Sequence, residues 1–159
     1  MPTPLMAPAL GRRMACWLYE GVLICALAFI AGLLFDILSP AHGAPASRPL
    51  RMALLFALLG IYFSAFWSRG QTLAQKTWRI RVVDPAGRPI TPARACLRYA
   101  LCWLWFLPPL ALRALGLPLP AVLLLLALWA AAWALASRLH PQRQFWHDAL
   151  AGTRLAPSQ

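Results

Sequence analysis

The sequence predicts an all-α integral membrane protein, a four-helix transmembrane bundle with a basic loop on the cytoplasmic side. Three observations predict it. The chain of 159 residues is 61% hydrophobic and only 12% charged, far from the usual soluble balance of about half apolar and about a quarter charged. The apolar residues fall in long blocks instead of the short alternations that build a soluble core. The 15 Lys and Arg, set against four acids, lie between those blocks, where topology signals belong. A net charge of +11 would also suit nucleic acid, but no separate basic domain exists to hold it, so nucleic acid is not an expected partner. The length suits a single domain over residues 1–159.

The first span, residues 14–38, gives roughly 37 Å of helix, enough to cross a hydrocarbon core of about 30 Å with some tilt. Its apolar stretch exceeds the roughly 7 to 15 residues of a secretory signal core and carries Glu20, so it is expected to be retained. Ser39 to Pro49, with Pro40, Gly43, Pro45 and Pro49, reads as a loop. The second span, residues 52–68, is uncharged between Arg51 and Arg69, and its Tyr62, Phe66 and Trp67 read as an interfacial belt. A polar loop, residues 69–98, follows. In it Trp78, Ile80 and Val82 alternate as in a short strand, Asp84-Pro85-Ala86-Gly87 supplies a turn, and Thr91-Pro92 looks like an N-cap and first helical position. The third span, residues 99–117, is the weak one, because Pro108-Pro109 interrupts it. The fourth, residues 119–137, is rich in Leu and Ala, and a tail, 138–159, closes the chain.

Charge decides the third block. With four crossings and an inner N-terminus, Arg12, Arg13, the seven cations from Arg69 to Arg98, and Arg138, Arg143 and Arg154 lie inside, and only Arg48, Arg51 and Arg113 lie outside. A non-crossing third block would weaken that bias. Arg98 and Arg113 are then expected to snorkel to opposite interfaces.

Glu20 stands out chemically, because an ionisable group inside a membrane helix costs a few kcal/mol unless it finds a partner or water. Arg13, seven residues earlier, shares its helix face. Glu20 reads either as an ion or proton site or as a carboxylate neutralised by an Arg of another helix. Asp36, near the far end of the helix, is expected to be solvated. His147 reads as a surface group, and its neighbour Asp148 as a partner for an inner-side Arg that locks the tail under the bundle. Adjacent residues on a helix point about 100° apart, so His147 and Asp148 make no catalytic pair by spacing alone. Cys16, Cys25, Cys96 and Cys102 form no C-x-x-C pair and read as small packing residues. No nucleophile motif, phosphate loop or metal-ligand spacing occurs, so no catalytic residue, metal or cofactor is expected and the chain is not read as an enzyme.

Three blocks together resemble the RDD family of membrane proteins, named for one arginine and two aspartates. They are Arg12-Arg13-Met14-Ala15-Cys16-Trp17-Leu18-Tyr19-Glu20; Gly70-Gln71-Thr72-Leu73 with Lys76 and Ile80-Arg81-Val82-Val83; and His147-Asp148-Ala149-Leu150-Ala151-Gly152-Thr153-Arg154. The resemblance implies Arg13 or Arg12, Glu20 and Asp148 as the marked cluster, and Gly70, Gln71, Thr72, Lys76, His147, Gly152 and Thr153 as motif positions. Glu20 replaces the first aspartate, Ala74-Gln75 the usual Gly-Lys, and Arg79 a common glycine. The resemblance also implies a multi-pass protein, expected in the bacterial cytoplasmic membrane, and the charge distribution over four crossings puts both termini on the cytoplasmic side. Two functions are then open: a carrier or cation/proton exchanger acting as an oligomer, or a non-transporting component that scaffolds a partner complex. The expected partners are the lipid bilayer and either further copies of the chain or a membrane partner protein.

Overall fold

Helix α1 runs from Leu10 to Leu38 in the computed structural model, which describes residues 7–39 and 47–158. It starts a turn earlier than the apolar block, so Arg12 and Arg13 lie within it. It is apolar all round, with Val22, Phe29, Ile37 and Leu38 among its exposed side chains, as suits a helix whose solvent is lipid. Helix α2 (Ser47–Arg69) also begins before its expected start. Pro49 sits at its third position, where the backbone N–H has no intrahelical acceptor to lose. The stretch 40–46 of the expected loop lies outside the described residues.

The polar loop is more structured than expected. Thr72 opens the short helix α3 (Leu73–Thr77) with a capping box, its hydroxyl accepting from the Gln75 N–H at 3.2 Å while the Gln75 side chain accepts from the Thr72 N–H at 3.1 Å. Gln75, a departure from the family pattern, thus supplies the reciprocal half of that box. Arg79 then takes φ 50, a left-handed conformation that costs a non-glycine residue about 1–2 kcal/mol and accounts for the glycine common there. Strand β1 (Ile80–Val83) matches the alternation, and the carboxylate of Asp84 accepts from the N–H groups of Ala86 and Arg88 in the turn.

Helix α4 (Pro92–Cys102) starts at Thr91-Pro92 as expected, Thr91 accepting from the Arg94 N–H. It therefore begins inside what reads as loop. A 3-10 turn, Trp103–Trp105, joins it to α5 (Leu107–Ala114), and the pair bends by 51°. The break falls at Phe106 rather than at the prolines, because Pro108 and Pro109 occupy the first turn of α5, where proline loses no hydrogen bond. Helix α6 (Leu119–Ala136) matches its block closely. Three helical stretches, Leu10–Leu38, Arg48–Thr77 and Leu119–Ala136, are long and apolar enough to cross a bilayer, and the bent pair makes up to four.

The tail is not a simple extension. Helix α7 (Trp146–Leu150) leads into β2 (Arg154–Pro157), which pairs antiparallel with β1, Val83 opposite Arg154 and Ile80 opposite Pro157. The Gln144 amide lies along β2, donating to the Leu155 carbonyl and accepting its N–H. Loop and tail thus form one cap beneath the helices. Packing runs from α1 to α2 and α3, from α2 to α4, from α4 to α7, and from α5 to α6. Gly60 permits the close approach of α2 and α4, since a Cβ there would stand 3.1 Å from the Tyr99 ring, whose hydroxyl donates to the Phe56 carbonyl.

Candidate functional site

Where the cap meets the helix ends, two polar clusters are buried side by side. The first centres on Asp148, which is fully buried. Arg98 of α4 donates to its Oδ1 through Nε at 2.8 Å and places Nη2 at 2.8 Å. The guanidinium also lies over the Trp67 ring, 4.1 Å from its centroid, so its charge meets a carboxylate in one direction and a π-face in another. The snorkelling expected of Arg98 is therefore overturned: the residue is 5% exposed. On α4 it shares the inward face with Ala95 and Tyr99, and a cation on that face turns toward α7 instead of toward water. Trp67, expected in an interfacial belt, is buried inside the protein, as is Trp105.

His147 is 4% exposed, not the surface group its sequence suggests. Its Nδ1 accepts from the Trp105 indole at 3.0 Å and its Nε2 lies 3.2 Å from Asp148 Oδ1. The neighbours meet because the imidazole swings across the short α7 toward the carboxylate. Burial disfavours the charged imidazole, but Asp148 outweighs it and pushes the His147 pKa up to about 9. The Trp105 contact opposes that. An indole N–H can only donate, so a protonated Nδ1 would face it donor to donor, and the geometry drawn here is that of neutral imidazole with its proton on Nε2. Burial would raise the Asp148 carboxyl, yet Arg98 and then His147 overcome it and hold it down at about 2. With both imidazole nitrogens engaged, no nucleophile is aligned on the far side of His147 from Asp148.

The closing motif has a local reason. Gly152, at φ 62, ends α7 in a Schellman turn: the Thr153 N–H reaches the Asp148 carbonyl at 2.9 Å and the Gly152 N–H the Ala149 carbonyl at 3.0 Å. The Thr153 hydroxyl adds a bond to the same Asp148 carbonyl. The spacing from Asp148 to Gly152 and Thr153 is thus the length of one capped turn that fixes the carboxylate.

Arg13 of α1 is 4% exposed and lies over Phe145 at 4.5 Å. Asp148 is the carboxylate whose field reaches it. Arg13 Nε and Nη1, Trp67 Nε1 and Asp148 Oδ2 are buried without a hydrogen-bond partner among the described residues. Arg12 is exposed, which assigns the marked arginine to Arg13.

The second cluster is built on Glu20. Arg13, Cys16 and Glu20 form the buried face at this end of α1, as their spacing of three and four residues requires. Glu20 accepts from the Thr72 hydroxyl and from the Tyr62 hydroxyl at 3.2 Å. Among the described residues no cation forms an ion pair with it, and the cation whose charge reaches it is Arg98 of α4, at longer range than a salt bridge. Thr72 both caps α3 and donates to Glu20, which ties the second motif block to the first. Gln71 donates to the Ile80 carbonyl and to Ser158, joining that block to the sheet. Gly70 and Lys76 are exposed, and Lys76 meets the Glu20 cluster only through its backbone N–H, which donates to the Thr72 carbonyl at 2.9 Å.

Sequence reasoning singled out Glu20, Asp148 and Arg13, took His147 for a surface group though the motif named it, and missed Arg98, Trp67, Trp105 and Tyr62. The inward α4 face was the available signal for Arg98; for the aromatics there was none, since burial and interface demand the same residue types. At the far end of α1, Asp36 is not simply solvated but paired with Arg51 at 3.2 Å. All four cysteines are free, with Cys16 buried.

A family model described as the RDD family matches residues 7–152. No curated protein and no solved structure matches the chain.

Proposed function

The chain belongs to the RDD family of membrane proteins, and on that premise we propose that it is a non-enzymatic carrier, exchanging a small cation or a proton across the bacterial cytoplasmic membrane as an oligomer. In this reading the bent α4–α5 pair is the third of four spans, both termini face the cytoplasm, and the cap of loop and tail lies at the inner surface. The twelve-to-three division of cations supports that orientation.

One observation carries the transport reading: Glu20 lies within a membrane helix, is buried, and meets two hydroxyl groups but, among the described residues, no cation in an ion pair. A carboxylate with hydroxyl oxygens is a hard donor set suited to a small monovalent cation or a proton. A purely structural carboxylate would be served better by an Arg. Four short helices leave little room for a complete path in one protomer, which is why the reading includes an oligomer.

The test is flux. Vesicles holding the purified protein under an imposed pH gradient should show cation-dependent proton movement, abolished by Glu20→Gln with the helical circular dichroism unchanged. Wild-type vesicles as tight as empty ones, across monovalent cations and pH, would sink the carrier. The second reading, a scaffold, draws on the sheet that ties tail to loop and on the closed Asp148 cluster, which look built to hold a shape. It predicts no flux and co-purification with a membrane partner.

A further inference from the structure

Away from both clusters, the segment between α6 and α7 borders a cavity of about 350 Å³ lined by His140, Gln142, Gln144 and Arg154, with Pro85 and Gly152 at its edges. Its polar lining offers donors. His140 Nδ1 accepts the Gln142 N–H at 3.2 Å, which leaves a proton on Nε2 of the neutral ring. The Gln144 amide is tied to Leu155 at both ends. Arg154 is half-buried, and its guanidinium has no acceptor among the described residues; nor do those of Arg138 and Arg143 in the same segment.

The acids that could answer these cations are already engaged. Asp84, beside Pro85, is closed by Arg88 at 2.9 Å and by two backbone N–H groups. Asp148, beside Ala149 of the cavity wall, is held by Arg98 and His147. The cavity is therefore a basic recess without an internal counter-charge.

Its surroundings place it at a membrane surface. It follows α6 within a few residues, and Leu139, Trp146 and Leu150 stand exposed beside it at 81%, 41% and 63%. Large apolar side chains next to unpaired Arg are what an interface selects, the former entering the acyl boundary and the latter meeting phosphates. We infer that this cavity seats the phosphate headgroup of an anionic phospholipid, with Arg154 and His140 Nε2 as its donors and Leu139 and Trp146 against the acyl chains. The inference does not depend on the carrier reading, since neither Glu20 nor Asp148 takes part.

The full-length protein in phosphatidylcholine vesicles, with a small fraction of spin-labelled phosphatidylglycerol, reports lipid selectivity as the immobilised fraction of label. Arg154→Gln should lower the preference for phosphatidylglycerol about tenfold, the loss expected for a charge-assisted contact. Arg94→Gln, which removes an exposed charge elsewhere in the cap, should change it about twofold or less. His140→Phe, which keeps a ring against Trp146, should lower it about threefold, and serves alone if Arg154→Gln does not fold. Equal losses for Arg154→Gln and Arg94→Gln would reduce the effect to bulk charge and overturn the site, as would no loss for Arg154→Gln or, where that variant does not fold, for His140→Phe. In a second arm, millimolar inorganic phosphate should not displace the labelled lipid. Displacement would make the ligand a soluble phosphate and overturn the lipid assignment.

Discussion

Two Arg–Asp pairs lie toward opposite ends of the first two helices, and the chemistry of the partners is the same in both. Arg51–Asp36 is separated by 3.2 Å with both side chains nearly half exposed, 42% and 45%. Arg98–Asp148 is separated by 2.8 Å with 6% and 0% exposed, and it adds a π-face and an imidazole to the ion pair. Water shares the work at the first pair, so losing one member leaves the other solvated. At the second, the protein alone must answer each charge, and losing one strands the other. The difference lies in what surrounds the pair.

The largest expected effect tests that difference directly. Asp148→Asn keeps the shape and leaves Arg98 buried without a counter-charge, which should cost about 3–5 kcal/mol in reversible unfolding from detergent. The double variant Arg98→Met with Asp148→Leu should cost less than the single one. A single-variant loss below about 1 kcal/mol would show that water reaches the pair and that the contrast with Arg51–Asp36 is false.

Acid should discriminate next. The Asp148 carboxyl is held at about 2, below its ordinary unfolded value near 3.9. Its contribution, about 2 kcal/mol, is present in full above about pH 5 and is lost as pH falls through about 2. Unfolding free energy measured against pH should show that acid limb in the wild type and a shallower one in Asp148→Asn. Identical slopes would mean that other groups set the acid stability.

Gly152→Ala probes the turn that aims Asp148. A side chain at φ 62 should cost about 1–2 kcal/mol by denaturant titration. A smaller loss would show that the Thr153 hydroxyl holds the carbonyl without the glycine. Smallest of all, Asp36→Asn should move stability by about 0.5 kcal/mol or less. A loss as large as that of Asp148→Asn would erase the distinction between the two ends.

Much of this cluster was legible in the residues. The spacing of Arg13 and Glu20 put both on one face of the first helix, and the resemblance marked Asp148, Gly152 and Thr153 without showing that they form one capped turn. Thr91-Pro92 gave the start of α4. What was not legible were the partners. Asp148 could have met any of several cations, and choosing Arg98 requires knowing how α4 faces α7. Tyr62 and Trp67 looked like interfacial anchors because aromatic rings with one polar atom serve either purpose. Strand β2 places Leu155, Ala156 and Pro157 side by side without the polar-apolar alternation that marks β1, and exists because β1 offers it a backbone ladder.

The sequence by itself determined the solvent of this protein and the existence of its apolar helices, though not where each begins, since blocks of that length and hydropathy are a local property that lipid reads directly. It also determined the caps and turns, where a residue and its neighbours within a turn supply every hydrogen bond. Only the tertiary structure decided which buried charges meet, that the third helical stretch bends at Phe106, and that loop and tail close into one sheet. Those outcomes join groups far apart in the chain. Arg98 and Asp148 are brought together by the packing of α4 on α7, and no local pattern of residues encodes that distance.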